Sequence, residues 1–244
     1  MKRHVPNIFT CLNLLCGCIA LTWIMKGHMT GASYLIFLAA FFDLLDGLSA
    51  RLLDVHSPFG KELDSLADVV SFGVVPATML YRFMSETEFY QSMPGGPIKS
   101  LVHFIPFLFA ICAALRLAKF NIDTKQKTSF LGMPTPSATL FVVALPFLKQ
   151  HYENSLGQLL GSAPFLLAVT FFLSGMMVSK IPLFALKFGS WSWKENIYQV
   201  ILLALAVILI FLFSVAAIPF IIILYIVLSV IQHLVSTKKS IDHQ

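Results

Sequence analysis

Long apolar runs interrupted by short polar clusters dominate the chain between residues 8 and 235. Eight of them approach the roughly 20 residues a helix needs to cross about 30 Å of hydrocarbon. They lie at about 8–25, 31–53, 64–84, 101–119, 134–150, 162–179, 197–213 and 216–235. None shows the ~10-residue segments of alternating polarity that mark a barrel strand. The pattern therefore predicts helices, whose backbone hydrogen bonds close within the segment and need no water. Only Ser214, Val215, Ala216 and Ala217 separate the last two runs before Pro219, a junction that fits either a hairpin or one broken helix. The expected fold is an all-α polytopic membrane protein of about eight transmembrane helices, a single domain over 1–244 without internal repeat, low-complexity tract or soluble appendage.

Composition agrees with this expectation. Hydrophobic residues make up 57% of the chain and charged residues 12%, with a mean hydropathy of +0.82, whereas soluble domains are about a quarter charged. The net charge of +5 is spread between the apolar runs and makes no basic face, which argues against nucleic acid and for an anionic membrane surface or a phosphate-bearing substrate. With both termini inside, alternate loops leave Lys26, Arg82, Lys99 and Lys149 outside and the rest of the 17 cationic residues inside, the asymmetry expected of cytoplasmic loops. Lys2 and Arg3 lead into a run holding Asn7, Thr10 and Asn13 with no small-residue cleavage site, so the first run reads as a retained span. Cys11, Cys16, Cys18 and Cys112 lack metal-site spacing and read as small packing residues.

The chemistry is concentrated where the second and third runs meet. Asp43 and Asp46 are three residues apart, and Asp64 and Asp68 four apart, so each pair shares one helical face. A short helix-loop-helix brings the pairs together. An aspartate at mid-bilayer costs about 2.5–3.5 kcal/mol on insertion scales, and four unpaired ones on the order of 10 kcal/mol. Two divalent cations balance four carboxylates in formal charge, and hard oxygen donors suit Mg²⁺ or Mn²⁺ better than zinc. Such a pair, roughly 3.5–4 Å apart, clamps a phosphoryl group between attacking and leaving oxygens. Gly47 and Ala50 keep the adjoining helix surface shallow for a substrate, Arg51 is placed as a planar phosphate donor, and Gly60 permits close approach in the loop. Asp54, His56 and Glu62 read as solvated polar residues.

Asp43, Asp46, Gly47, Ala50, Arg51, Gly60, Asp64 and Asp68 match D-x2-D-G-x2-A-R-x8-G-x3-D-x3-D at every fixed position, so the chain resembles the CDP-alcohol phosphotransferases. The resemblance implies a six-helix core, a homodimer, and transfer of a phosphatidyl or related group from a CDP-linked donor to an alcohol with release of CMP. It also implies that Asp43, Asp46 and Asp64 bind metal, that Asp68 completes the second metal site, and that Asp68 is the general base for the acceptor hydroxyl.

Four further segments, PNIFTCLNLLCG (6–17), DSLADVVSFGVVPA (64–77), ALRLAKFN (114–121) and FLGMPTPSA (130–138), are similar to membrane-embedded bacterial phosphatidylserine synthases. The likeness covers about residues 1–145. It implies CDP-diacylglycerol as donor, L-serine as acceptor, and a bacterial inner membrane location with the active site cytoplasmic. Asn7, Thr10 and Asn13, spaced three apart, are placed beside the cytidine or the acidic loop, and helix–helix hydrogen bonding accounts for them equally well. Ser71 is a further candidate facing the donor. Arg116, Lys119 and Asn121 are candidates for the donor phosphates or the serine carboxylate, and the positive-inside rule explains the two cations as well. Where this chain has Lys119 the similar sequences usually carry arginine, so a bidentate grip at that position is lost.

Three alternatives share part of this pattern. A CDP-alcohol enzyme acting on glycerol phosphate, inositol or choline has the same signature. An intramembrane prenyltransferase also holds a diphosphate on aspartates and Mg²⁺, but on two acidic motifs set far apart. An ion-coupled transporter predicts intramembrane carboxylates on several spans, and the runs outside 43–68 carry almost none.

Overall fold

The computed structural model describes residues 4–54, 57–122, 130–151, 155–183 and 197–241. His56 and the cations Lys2, Arg3, Lys125, Lys127, Lys187 and Lys194 lie outside the described residues. Helices α1 (Val5–Met25) and α2 (Met29–Leu52) are joined by a tight turn in which Gly27 takes φ 83°. They pack along their lengths through Ala20, Ala32, Ile36 and Ala39, all fully buried or nearly so, small residues being what lets membrane helices approach closely.

A second rod, Pro58–Glu86, is assembled from α3 (Pro58–Asp68), a π-helical turn (Val69–Val74) and α4 (Val75–Glu86). Its start is set locally: the Ser57 hydroxyl accepts from the Gly60 N–H at 3.3 Å and Pro58 occupies the first turn, the preferred N-terminal pairing. After the short α5 (Glu88–Ser92), the rod Pro97–Ile122 comprises α6 (Pro97–Phe104), a 3₁₀ turn and α7 (Leu108–Ile122). Beyond it lie α8 (Thr135–His151), α9 (Ser155–Leu160), α10 (Ala163–Val178), α11 (Ile197–Phe213) and α12 (Ile218–Ile241). Two short strands, β1 (Phe130–Leu131) and β2 (Pro182–Leu183), pair antiparallel. Among the described residues this pair is a departure from helix that the apolar pattern did not predict.

The protein is thus an all-α polytopic membrane protein. Val5–Met25, Pro58–Glu86, Pro97–Ile122 and Ile197–Val235 are each long and apolar enough to cross a bilayer, and α10 is a shorter apolar helix. The stretch 197–235 is interrupted at Ser214, whose φ of 53° lies in the left-handed region and starts a 3₁₀ turn. All four cysteines are free; Cys16 and Cys112 are buried packing residues, whereas Cys11 and Cys18 are exposed.

Three of the four cations expected outside, Arg82, Lys99 and Lys149, are tied to acidic or aromatic partners on α4 and α5. Glu86 draws Arg82 at 3.4 Å and Lys149 at 3.9 Å, and Lys99 lies over the Tyr90 ring, whose hydroxyl meets His103 Nδ1 at 2.9 Å. At the α2–α3 turn, by contrast, Lys61 Nζ donates to the Asn121 carbonyl at 2.8 Å.

Candidate active site

The turn between α2 and α3 folds the two aspartate pairs onto one another against α1. One oxygen each from Asp43, Asp64 and Asp68 fall within 4.8 Å of one another. Asp64 Oδ1 is buried with no protein hydrogen-bond partner. Three carboxylates that close, one with an orphaned oxygen, repel each other unless a proton or a cation sits among them. The donor set is oxygen alone, which fits a hard divalent ion. Asp46 stands outside this trio and accepts a hydrogen bond of 2.8 Å from Thr10 Oγ1.

Helix α1 supplies the second layer. Asn13 Nδ2 donates to Asp68 Oδ1 at 3.2 Å, and Ser71 Oγ donates to the Asn13 carbonyl at 3.1 Å. A Cβ on Gly17 would lie 2.5 Å from Ser71 Oγ and 3.1 Å from Ser71 Cα, so only glycine lets α1 come this close to the π-helical turn. That turn follows Asp68 directly and is held from the other side, where Thr139 Oγ1 donates to the Phe72 carbonyl at 2.6 Å. A π turn re-aims the residues next to it relative to a regular helix, here the rod that carries Asp64 and Asp68.

Beside the carboxylates lies a cavity of about 610 Å³ lined by Pro6, Asn7 and Thr10 of α1, Asp46, Gly47 and Ala50 of α2, and Ser57, Pro58, Gly60, Lys61 and Asp64. This is within the 300–1,000 Å³ of ordinary small-molecule sites. No atom lies within 4 Å of where a Gly47 Cβ would stand, so the helix backbone is open to a ligand there. A second cavity of about 360 Å³ is lined by Leu115, Arg116, Lys119, Phe120, Met177, Val178 and Ser179. Arg116 Nη1 donates to Thr135 Oγ1 at 3.4 Å at the start of α8.

The candidate residues divide between those that line a cavity and those that do not. Asn13 and Ser71 are fully buried and do not line the cavity; they sit behind Asp68 and orient it. Arg51 is exposed in the last turn of α2 and is not among the lining residues. Asn121 spends its side chain on Ser65 Oγ at 2.7 Å, fastening the end of α7 to α3 rather than facing either cavity. Lys61, Met177 and Ser179 line the cavities without having been singled out by the motifs. Lys61 sits inside the signature at a position of unspecified type, and the other two come from a run that carried no chemical signal.

The family model for CDP-alcohol phosphatidyltransferase matches residues 3–211. The chain is 35% identical over 184 residues to the CDP-diacylglycerol–serine O-phosphatidyltransferase of Bacillus subtilis, covering 73% of this chain and 89% of that protein. It is 34% identical over 202 residues to the enzyme of the same name from Helicobacter pylori, covering 82% of this chain and 80% of that one. The archaetidylserine synthase of Methanothermobacter thermautotrophicus is 32% identical over 180 residues, 72% of this chain and 68% of its own length.

Proposed function

The chain belongs to the CDP-alcohol phosphatidyltransferase family, and from that premise we propose that it transfers the phosphatidyl group of CDP-diacylglycerol to the hydroxyl of L-serine, yielding phosphatidylserine and CMP. Membership sets aside the prenyltransferase and transporter alternatives. The observation that carries the choice of acceptor is the alignment, over 72% to 82% of this chain, with three relatives that each have serine in their names.

In this reading the 610 Å³ cavity takes the cytidine diphosphate portion of the donor, with Asn7 and Lys61 on its wall and the Gly47–Ala50 surface against the phosphates. Asp43, Asp46, Asp64 and Asp68 hold two divalent cations, Mg²⁺ or Mn²⁺. Ions held there would supply positive charge to offset the diphosphate and a Lewis acid for its oxygens. Arg116 and Lys119 receive the serine carboxylate from the second cavity. Asp68 takes the proton from the serine hydroxyl as the oxygen bonds to the phosphatidyl phosphorus; the bond to CMP breaks, and CMP leaves with the electron pair. The convergence of Arg82 and Lys149 on Glu86, and of Lys61 on Asn121 at the α2–α3 turn, supports an active site on the cytoplasmic side of a bacterial inner membrane. Association as a homodimer belongs to the same reading through the family likeness.

Purified protein with CDP-diacylglycerol and Mn²⁺ or Mg²⁺ should release CMP with L-serine and form phosphatidylserine. CMP release with glycerol phosphate, inositol or choline but none with serine would overturn the acceptor and leave the family intact. Gly17→Ala forces α1 away from Ser71 and moves Asn13 off Asp68. Since a misplacement of about 1 Å costs on the order of 10²-fold, CMP release should fall by roughly that factor. Adding Ser71→Ala removes the 2.5 Å clash with Oγ and should recover part of the loss, which initial rates on the two variants would show.

A further inference from the structure

Pro76 stands inside the rod Pro58–Glu86, four residues after Phe72. A regular α-helix would pair the Phe72 carbonyl with the N–H of residue 76. Proline has no N–H, and its ring crowds that carbonyl. Here the rod widens into the π turn Val69–Val74, from which the Val75 N–H reaches back five residues to the Val70 carbonyl. Phe72 is fully buried, and a backbone carbonyl closed off from water needs a donor within the protein. One comes from another helix: Thr139 Oγ1 of α8, itself fully buried, at 2.6 Å.

The Thr139 hydroxyl also lies 3.0 Å from the Thr135 carbonyl of its own helix, the back-bond that threonines inside helices commonly make. A hydroxyl has one proton, and the shorter contact is the one to Phe72. The residues on either side of Phe72 are held by other helices. Ser71 donates to the Asn13 carbonyl of α1 at 3.1 Å, and a Cβ on Gly73 would lie 3.3 Å from Ala113 Cβ of α7. Three successive residues of the turn are thus each seated on a different helix. Downstream, Met79, Leu80 and Met84 are fully buried and fix α4 in the core. The turn therefore sets the phase of α3 against α4, and one residue added to a turn amounts to a rotation of about 100°. Asp68 is the last residue before it.

We infer that Thr139 is a positioning residue for Asp68: its hydroxyl stands in for the N–H that Pro76 lacks, holds the Phe72 carbonyl in the wide turn, and so fixes the angle at which Asp68 meets the acceptor hydroxyl. This rests on the reading of Asp68 as the base. Thr139 lines neither of the two cavities beside the carboxylates and Arg116, and α8 carries no aspartate, so it acts on the reaction through the turn.

The test is the rate of CMP release by the full-length protein in detergent–lipid micelles with CDP-diacylglycerol, saturating Mn²⁺, and L-serine or whichever alcohol supports turnover. Thr139→Val keeps the shape and loses the proton. Since a misplacement of about 1 Å costs on the order of 10²-fold, a fraction of that should lower kcat about tenfold. The KM for CDP-diacylglycerol should stay within about twofold, and raising Mn²⁺ further should recover nothing. Thr139→Ala should do the same and serves if the valine variant does not assemble. Thr139→Ser keeps the hydroxyl and should stay within about threefold of wild type. In a Pro76→Ala background the Phe72 carbonyl gains a backbone donor, so Thr139→Val should cost less than about twofold more, whereas independent roles would multiply. An unchanged kcat without the hydroxyl, an equal loss in Thr139→Ser, recovery by Mn²⁺, or a fully multiplied loss with Pro76→Ala overturns the inference. A fully metal-rescued Asp68→Asn overturns instead the base reading on which it stands.

Discussion

Stripping divalent metal from the purified protein should abolish CMP release, by at least about 10³-fold, and Mg²⁺ or Mn²⁺ should restore it. The magnitude follows from several kcal/mol of transition-state charge stabilisation at about 1.4 kcal/mol per factor of ten. The structural reason is the trio of Asp43, Asp64 and Asp68, whose oxygens approach within 4.8 Å of one another while Asp64 Oδ1 finds no hydrogen-bond donor. Asp43→Asn and Asp64→Asn remove charge from that trio and should raise the metal concentration for half-maximal activity more than any neighbouring change. The α1 residues act at one remove. Thr10→Val deletes the 2.8 Å bond to Asp46, and Asn13→Leu the 3.2 Å bond to Asp68. Loss of such an outer contact typically weakens metal binding about 10- to 100-fold. A metal titration of CMP release separates these cases: saturating metal rescues the α1 variants, and full activity after chelation would overturn the metal-centred reading.

The order of these effects also explains what could be read from the chain without its fold. Apolar runs report burial in hydrocarbon, so helices appear where the runs do: the run at 31–53 becomes Met29–Leu52, and that at 197–213 becomes Ile197–Phe213. The aspartates were legible because charge in so apolar a chain is costly and their spacing is helical. Register was not legible. Nothing in the composition of Val69–Val74 marks a π turn, which is held by tertiary contacts from Thr139 and from the close packing of Gly73 on Ala113. The three-residue spacing of Asn7, Thr10 and Asn13 correctly put polar groups on one face of α1. It did not distinguish Thr10, which reaches the cavity wall, from Asn13, which is fully enclosed behind Asp68. Asn121 poses a related ambiguity: a polar residue at the end of a span looks the same whether it meets a ligand or fastens one helix to another, and here its side chain bonds Ser65.

Asp68→Asn should lower kcat by about 10²–10⁴-fold, the usual contribution of a positioned general base, with little change in the amount of folded protein. Asp68 is 7% exposed and sits at the end of α3, where the regular helix passes into the π turn. An asparagine keeps the shape and still offers an oxygen to Asn13 Nδ2, so the α1 contact survives. What it loses is the ability to accept the hydroxyl proton, together with one negative charge among three carboxylates. These two losses have different signatures. If the charge is what matters, raising Mn²⁺ recovers most of the rate, because a weakened metal site is refilled by mass action. If proton acceptance is what matters, the rate stays low at saturating metal while the KM for CDP-diacylglycerol is little altered, the pattern of an interaction made only in the transition state. The second outcome is expected: Asp68 is buried behind the cavity wall that Asp46 and Asp64 line, and it is the candidate base of the trio. Asp64, on the wall of the nucleotide cavity, should show the first pattern when changed to asparagine. Rates of both variants across a metal titration therefore assign the two roles, and a fully metal-rescued Asp68→Asn would transfer the proton to some other base.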